Sequence, residues 1–182
     1  MNRLSAARNW TRTKWQARKA AGWRPVGKFA LYTVNVVCLV HLFAEHVGWF
    51  HMTYGPSMMP TLAPTGEAVI ENRLICVKDL RRGDIITYAS PAEPGRVVCK
   101  RIVGLPGDVI CVDPTGQMAP TTEHVVVPKG HFWMCGDNAM WSRDSRWYGP
   151  VSQALVKGKL VAKIWPPSQI GRLRNNFKYI DE

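Results

Sequence analysis

The sequence predicts a mainly β protein, a barrel or sandwich, preceded by one N-terminal transmembrane helix. Short apolar runs recur about every ten residues after position 50, and Gly- and Pro-containing turns separate them. One uncharged apolar segment, residues 29–44, comes before these runs, and a strongly basic segment comes before it. With 182 residues, the chain is long enough for one domain with extensions.

The basic leader, residues 1–25, contributes most of the net charge of +11. Residues 1–28 contain no Asp or Glu, and they contain these basic residues: Arg3, Arg8, Arg12, Lys14, Arg18, Lys19, Arg24 and Lys28. The rest of the chain is close to charge balance, which argues against a nucleic-acid-binding protein. A basic, acid-free leader is also typical of organellar targeting segments.

The apolar segment FALYTVNVVCLVHLFA, residues 29–44, reaches the roughly 17–25 residues of a membrane span once its flanks are included. We therefore expect a transmembrane helix over residues 26–50, with a buried core helix as the alternative. Positive charges before the span keep the N-terminus in the cytoplasm or the mitochondrial matrix. The body then lies on the other side of the membrane.

The body, residues 51–165, is predicted to be β-rich, and residues 166–182 form a polar tail. The predicted strands are Ala68–Glu71, Leu74–Val77, Asp84–Ala89, Val97–Val103, Val109–Val112, His124–Val127, His131–Cys135 and Leu155–Ile164. Five cysteines without a C-x-x-C pair predict mostly reduced structural thiols, although a Cys99–Cys111 disulfide stays open. No metal-ligand motif is present, so we expect neither metal nor cofactor.

Ser57 lies in the stretch YGPSMMP, which follows the span. Pro56 and Pro60 restrict the backbone on either side, and Gly55 allows a close backbone approach, as in binding a substrate, or an unusual turn. Met58 is suited to line a substrate groove. The serine is either a turn residue or a nucleophile, and a nucleophilic serine needs a base.

A buried lysine is the best candidate for that base. There is no G-x-S-x-G motif, three histidines fall near the membrane, and the other two lie in predicted strands. Lys100 lies in the apolar run RVVCKRIVG, and period-two alternation places it on one face with Val98 and Ile102. Burial there would lower its pKa and leave a free amine near neutral pH. A lysine on an edge strand that reaches solvent is the alternative.

The loop GDNAMWSRDSRWYGPV, residues 136–151, is dense in polar side chains. Such a loop is stable when its polar groups satisfy one another. We expect an ion pair between Asp144 and Arg146, and a Ser142 hydroxyl that orients the neutral lysine, with Asp137 beside them. A solvated loop is the alternative.

Four ordered motifs, GPSMMPTL, RRGDII, CKRIVGLPGD and GDNAMWSRDSRWYGPV, resemble the type I signal peptidase family over roughly residues 45–165. The resemblance implies a β-rich domain with a serine–lysine dyad that cleaves targeting peptides. Ser57 matches the nucleophile and Lys100 the general base, and the residues that support the lysine match Ser142, Asp144, Arg146 and Asp137. One departure is Gly55, where many members carry a serine that helps to bind the oxyanion.

The compact body, the KIWP stretch at 163–166 and the leader resemble the mitochondrial inner membrane branch of this family, and its first catalytic subunit more than its second. This implies protein substrates that carry sorting or signal peptides, a heterodimer with the second subunit, and a single-pass protein in contact with membrane lipid. Its catalytic domain would face the intermembrane space. A bacterial-type signal peptidase at the plasma membrane, or a non-catalytic membrane-anchored β domain that binds peptides, remain the alternatives.

Overall fold

The structure is a computed structural model that describes residues 3–116, 119–173 and 175, with side chains before residue 26 described only for Lys14. The chain divides into two compact units, Met1–Ala44 and Glu45–Glu182. The first unit is helical, and the second is rich in β-strands. The predicted class, a mainly β protein after one apolar helix, is confirmed.

Helix α1 runs over Arg3–His46. Its part Val26–His46 has 21 residues and a mean hydropathy of 1.6, so it is long and apolar enough to cross a bilayer. The helix ends inside the predicted 26–50 segment because the chain turns into a strand at Gly48. Gly48 has φ +149, and a Cβ there would lie 2.1 Å from the backbone oxygen of Glu71, so this turn requires glycine.

Ten strands and one short helix follow in the described residues. They are β1 Gly48–Tyr54, β2 Thr65–Asn72, β3 Ile85–Ala89, β4 Val97–Gly104, β5 Val109–Cys111, β6 His124–Val126, β7 His131–Cys135, α2 Ser145–Tyr148, β8 Val151–Ser152, β9 Val156–Trp165 and β10 Gly171–Arg172. Seven of the eight predicted runs coincide with strands, whereas Leu74–Val77 is a loop that leads into a 3₁₀ turn. No sequence pattern predicted β1, because its first residues fall inside the predicted 26–50 span, and none predicted the two-residue strands β8 and β10.

The main sheet has the strand order β1-β2-β9-β3-β4-β7-β8, with β10 also pairing with β9, and β5 and β6 form a separate hairpin. All of these pairs are antiparallel. Among the described strands, β1 lies at one edge of this sheet. β4 pairs with β3 over Val97–Arg101 but with β7 only from Arg101 onward. The first half of β4 therefore has one edge without a neighbouring strand among the described residues.

Apolar side chains form cores on opposite sides of β4. One cluster includes Ile86, Tyr88, Ile102 and Phe132, and another joins Met58 and Leu62 to β2, β3 and β9. A third cluster, which contains Trp133, packs with the β5–β6 hairpin. Because residues along β4 alternate between the two sides, the sheet fixes which of its side chains enter each core.

Candidate active site

Ser57 lies in a 3₁₀ turn, Pro56–Met58, directly after β1. Gly55 precedes the turn with φ +106, a conformation that favours glycine, and its N–H donates to the Pro64 carbonyl oxygen at 2.7 Å. On the other side of Ser57, the Met58 side chain is only 2% exposed and packs in the core with Leu62. The turn is therefore anchored at both ends.

The position of Met58 corrects one prediction. We expected its side chain to line a substrate groove, but it points into the core and anchors the turn. Gly55, by contrast, does line the cavity that contains Ser57. A large apolar side chain packs where its surface is removed from water. The local sequence does not show whether that place is the protein core or the wall of the cavity.

Lys100 is buried in β4, with 4% of its surface exposed. It lies opposite Ile86 on the neighbouring strand and on the same face as Val98 and Ile102, as the alternation predicted. Burial lowers the pKa of the Lys100 amine, although nearby Cys99 and Asp144 partly oppose the shift. Within the described residues, no carboxylate lies within ion-pair distance of this amine. Because Lys100 is buried, the alternative of a lysine that reaches solvent from a strand edge is excluded.

Ser57 and Lys100 line the same cavity, whose volume is about 640 Å³. The end of β1, the first half of β4 and the loop residues Trp141 and Arg143 contribute to its wall. In the described structure, the Ser57 hydroxyl and the Lys100 amine form no direct hydrogen bond. Catalytic hydrogen bonds are often longer before substrate binds, so the shared cavity is the relevant observation.

Asp144 and Arg146 organise the loop that follows β7. The Arg146 Nε and Nη2 atoms each lie 2.9 Å from a different Asp144 carboxylate oxygen, and the Gly136 N–H donates to Asp144 at 2.9 Å. Burial by itself would raise the pKa of Asp144, but these hydrogen bonds outweigh it and hold the pKa below its usual value. The expected ion pair is present, and its carboxylate is fully buried.

Ser142 is buried beside Ser57 rather than exposed in a solvated loop. A Cβ built on Gly136 would lie 2.2 Å from the Ser142 Oγ atom and 2.5 Å from the Ser57 carbonyl oxygen. The Asn138 N–H also donates to that carbonyl oxygen at 3.0 Å. The loop and the Ser57 turn therefore meet at Gly136, and only glycine leaves enough room for this contact.

Asp137 has a different environment from the one expected. Its carboxylate accepts hydrogen bonds from Arg101 at 2.7 and 2.6 Å and from the Thr61 hydroxyl at 2.5 Å, and Asp137 does not line the cavity. Arg101 points to the opposite side of β4 from Lys100, so Asp137 cannot support the lysine directly. It instead ties the loop to β4 and to the segment after Ser57.

A polar cluster that no sequence motif indicated also lines the cavity. His51 on β1 lies with its Nε2 atom 3.0 Å from the Glu71 Oε2 atom, and Thr87 and Arg73 donate to the same carboxylate. Because His51 directly follows the predicted span, the sequence placed it near the membrane rather than in the β-rich body. The pairing of β1 with β2, in which His51 lies opposite Val69, is a long-range contact that no local pattern indicated.

His51 and Glu71 do not complete a catalytic triad with Ser57. The Nε2 atom of His51 contacts Glu71. Within the described part of the chain, no hydrogen bond joins the imidazole ring to Ser57. All five cysteines are free. No group of three or more His, Cys, Asp or Glu side chains forms a metal site among the residues the structure describes.

The sequence matches the family model for signal peptidase, peptidase S26, over residues 26–119 and 113–165. It is 40% identical over 153 residues to mitochondrial inner membrane protease subunit 1 of Schizosaccharomyces pombe. This match covers 82% of this chain and 95% of the relative. Subunit 1 of Homo sapiens is 38% identical and covers 83% of this chain and 92% of the relative. Subunit 2 of Saccharomyces cerevisiae is 40% identical and covers 84% of this chain and 80% of the relative. The chain belongs to the signal peptidase family, peptidase S26.

Proposed function

We propose that this chain is a membrane-bound serine endopeptidase that removes sorting peptides from proteins delivered to the mitochondrial intermembrane space. In this proposal Ser57 is the nucleophile and Lys100 is the general base. The observation that carries it is the presence of a serine on an anchored turn and a buried, unpaired lysine in the wall of one cavity. Family membership and the named relatives support the class of reaction.

The chemistry follows from the neutral amine of Lys100. This amine takes the proton of the Ser57 hydroxyl as the oxygen attacks the scissile carbonyl carbon. The ammonium that results gives its proton to the departing amine, and an acyl-enzyme remains on Ser57. Lys100 then takes a proton from water as the water oxygen attacks the ester carbon, and it returns that proton to the Ser57 oxygen as the acyl–oxygen bond breaks. The new carboxylic acid is released, and the serine hydroxyl and the neutral amine are restored. A guanidinium could not do this, because arginine stays charged at all physiological pH values.

Substrate binding is proposed to use two strand edges. β1 is an edge strand, and Val97–Lys100 of β4 lacks a strand partner on one side among the described residues. Both segments contribute to the cavity wall. An extended peptide that enters the cavity could therefore form main-chain hydrogen bonds with either edge, as in other cases of strand addition.

The partner and the orientation are also proposals. Relatives named subunit 1 and subunit 2 exist in Saccharomyces cerevisiae, which supports a heterodimer of this chain with a second, related subunit. The apolar part of α1, Val26–His46, would contact lipid. The basic leader before it supports a matrix-side N-terminus and a catalytic domain in the intermembrane space.

The test uses the full-length chain in detergent micelles with a presequence-bearing protein substrate. We expect Ser57→Ala to reduce cleavage to background, and Lys100→Arg to reduce kcat/KM by about 10²–10⁴-fold because the base is lost while the positive charge stays. Lys157→Arg, at an exposed position of β9, is the matched control and should cleave like the wild type. Cleavage by Lys100→Arg at a near wild-type rate would show that the lysine is not the base.

Two alternatives predict other outcomes. A non-catalytic peptide-binding domain would bind the substrate without cleaving it, whatever residue stands at position 57. A bacterial-type signal peptidase would show the same mutational pattern, but a tagged copy would be found in a plasma membrane rather than in mitochondria. The relatives named as mitochondrial proteases favour the mitochondrial assignment over this one.

A further inference from the structure

A cluster of polar side chains lines the catalytic cavity but takes no part in the serine–lysine chemistry. It consists of His51, Glu71, Arg73 and Thr87. The Glu71 carboxylate is its centre. One oxygen accepts a hydrogen bond from the Thr87 hydroxyl, and the other accepts from Arg73 Nε at 2.7 Å and lies 3.0 Å from His51 Nε2.

The charge state of Glu71 determines the tautomer of His51. Burial raises the pKa of Glu71, but hydrogen bonds from Thr87, Arg73 and His51 outweigh burial and leave the pKa below its usual value. An ionised carboxylate can only accept hydrogen bonds. The His51 Nε2 atom must therefore carry a proton, and in a neutral imidazole the other nitrogen, Nδ1, is then an acceptor.

His51, not Glu71, is the member of the pair that a substrate can reach. The side chain of His51 is 44% exposed, whereas that of Glu71 is 1% exposed. Within the described part of the chain, the Nδ1 atom has no hydrogen-bond partner. A peptide that covers the ring would remove this acceptor from water, which is unfavourable unless the peptide supplies a donor.

The position of His51 indicates which part of a substrate it would meet. His51 and Tyr54 are three residues apart on the extended strand β1, so they are separated by about 10 Å at roughly 3.3 Å per residue. Ser57 follows in the turn after this strand. A peptide that lies along β1 with its scissile bond at Ser57 would therefore reach His51 a few residues away from the cut.

We propose that His51, held in one tautomer by Glu71, is a specificity-determining residue that selects a substrate side chain with a hydrogen-bond donor a few residues from the scissile bond. The chemical class is a hydroxyl or carboxamide side chain in preference to an aliphatic one of the same size. This inference rests on the proposed function, because it assumes that peptides bind in the cavity beside Ser57.

The experiment compares threonine with valine, which have nearly the same shape but differ by one hydroxyl group. Twelve-residue peptide libraries carry Thr or Val at one position at a time and an equimolar mixture elsewhere, and cleavage by the full-length chain in detergent micelles is measured for each. We expect Thr to be favoured over Val by about fivefold to tenfold at one position, the effect of one neutral hydrogen bond. His51→Leu should bring this ratio to about one.

Two further variants separate recognition from a general effect on folding. His51→Gln keeps an N–H donor for Glu71 and an acceptor for the substrate, so it should retain a preference for Thr. Glu67→Gln is the matched control. Glu67 is also buried on β2, but it pairs with Lys163 at 2.7 Å and does not line the cavity, so this variant should keep the wild-type ratio.

Binding of the same peptides to Ser57→Ala protein, measured by fluorescence anisotropy, keeps the two proposals distinguishable. A Thr preference in binding without any cleavage by the wild type would overturn the protease function but support the subsite. Cleavage with no Thr preference at any position would overturn the subsite alone. A Thr preference that persists in folded His51→Leu protein would overturn it as well.

Discussion

Lys100 carries a cost in stability that depends on pH. Its pKa is lowered from 10.5 by burial, so between that lowered value and 10.5 the unfolded chain binds a proton that the folded chain does not. Stability rises with pH wherever the unfolded state binds more protons. Below the lowered pKa both states are protonated, and the folded protein then holds a buried charge at its full unfavourable cost.

We therefore expect Lys100→Met to raise the Tm of the full-length chain by several degrees at pH 6, although it abolishes cleavage. The gain should shrink as the pH rises from the lowered pKa towards 10.5, because the folded amine is then neutral and the proton it must give up costs less to remove as the pH approaches the unfolded value. Differential scanning fluorimetry across this range, with wild type and variant at each pH, measures the difference. A gain that stays constant with pH would contradict a titrating buried lysine.

Gly136 is a second residue whose neighbours restrict which side chain can stand there. Because a Cβ there would lie 2.2 Å from Ser142 Oγ and 2.5 Å from the Ser57 carbonyl oxygen, Gly136→Ala must displace the loop or the turn that contains Ser57. We expect a loss of kcat of about 10²-fold, since small displacements of reacting groups have effects of this size.

The control for Gly136→Ala is Gly171→Ala in β10, where no atom lies within 4 Å of the added Cβ. This variant should cleave like the wild type. Steady-state kinetics on a presequence substrate report kcat, and circular dichroism reports whether both variants are folded. A folded Gly136→Ala protein with unchanged kcat would mean that the loop does not position Ser57.

Among the elements, β4 carries side chains with different roles on its two faces. Lys100 faces the cavity that contains Ser57, and the adjacent Arg101 faces the opposite side, where it binds Asp137 and donates to the Gly83 carbonyl oxygen at 2.6 Å. One strand thus supplies the proposed base and also an anchor for the loop that contains Ser142. Position along the strand alone determines these roles, because successive side chains point to opposite faces.

The Arg101–Asp137 pair should therefore contribute to stability. We expect Asp137→Asn to lower the free energy of unfolding by about 3 kcal/mol, since it leaves a mostly buried guanidinium without its counterion. Urea unfolding followed by tryptophan fluorescence measures the change. Glu93→Gln, which disrupts the exposed pair with Arg96, is the control and should leave the free energy of unfolding nearly unchanged, because solvent screens an exposed ion pair. Equal effects of the two variants would contradict this ranking.

At the scale of the whole molecule, the distribution of charge around the apolar helix predicts a topology. Seven basic residues precede the span and Lys28 lies at its start, and such residues favour the side of the membrane that is not translocated. We expect a C-terminal tag to resist protease in intact mitochondria and to be digested once the outer membrane is ruptured. An N-terminal tag should stay protected in both cases, like a matrix marker protein. Digestion of the N-terminal tag alone would indicate the opposite orientation.

The sequence by itself determined the features that depend on local pattern. Charge and hydropathy indicated the leader and the apolar helix, turn residues separated most of the strands, and alternation in RVVCKRIVG placed Lys100 and Arg101 on opposite faces. The motifs around Ser57 and Asp144 indicated the candidate site through a family resemblance. The predictions of the strands and of the apolar helix succeeded because strand period, helix length and turn chemistry are properties of neighbouring residues.

The tertiary structure alone decided which side chains meet across long separations in sequence. It placed Met58 in the core, paired Asp137 with Arg101 and joined His51 to Glu71 in the cavity wall. Each outcome depends on which strands become neighbours and on how they are aligned, and a shift of one residue would move every side chain to the other face. Local sequence does not contain that alignment, because it arises from packing the whole sheet around shared cores.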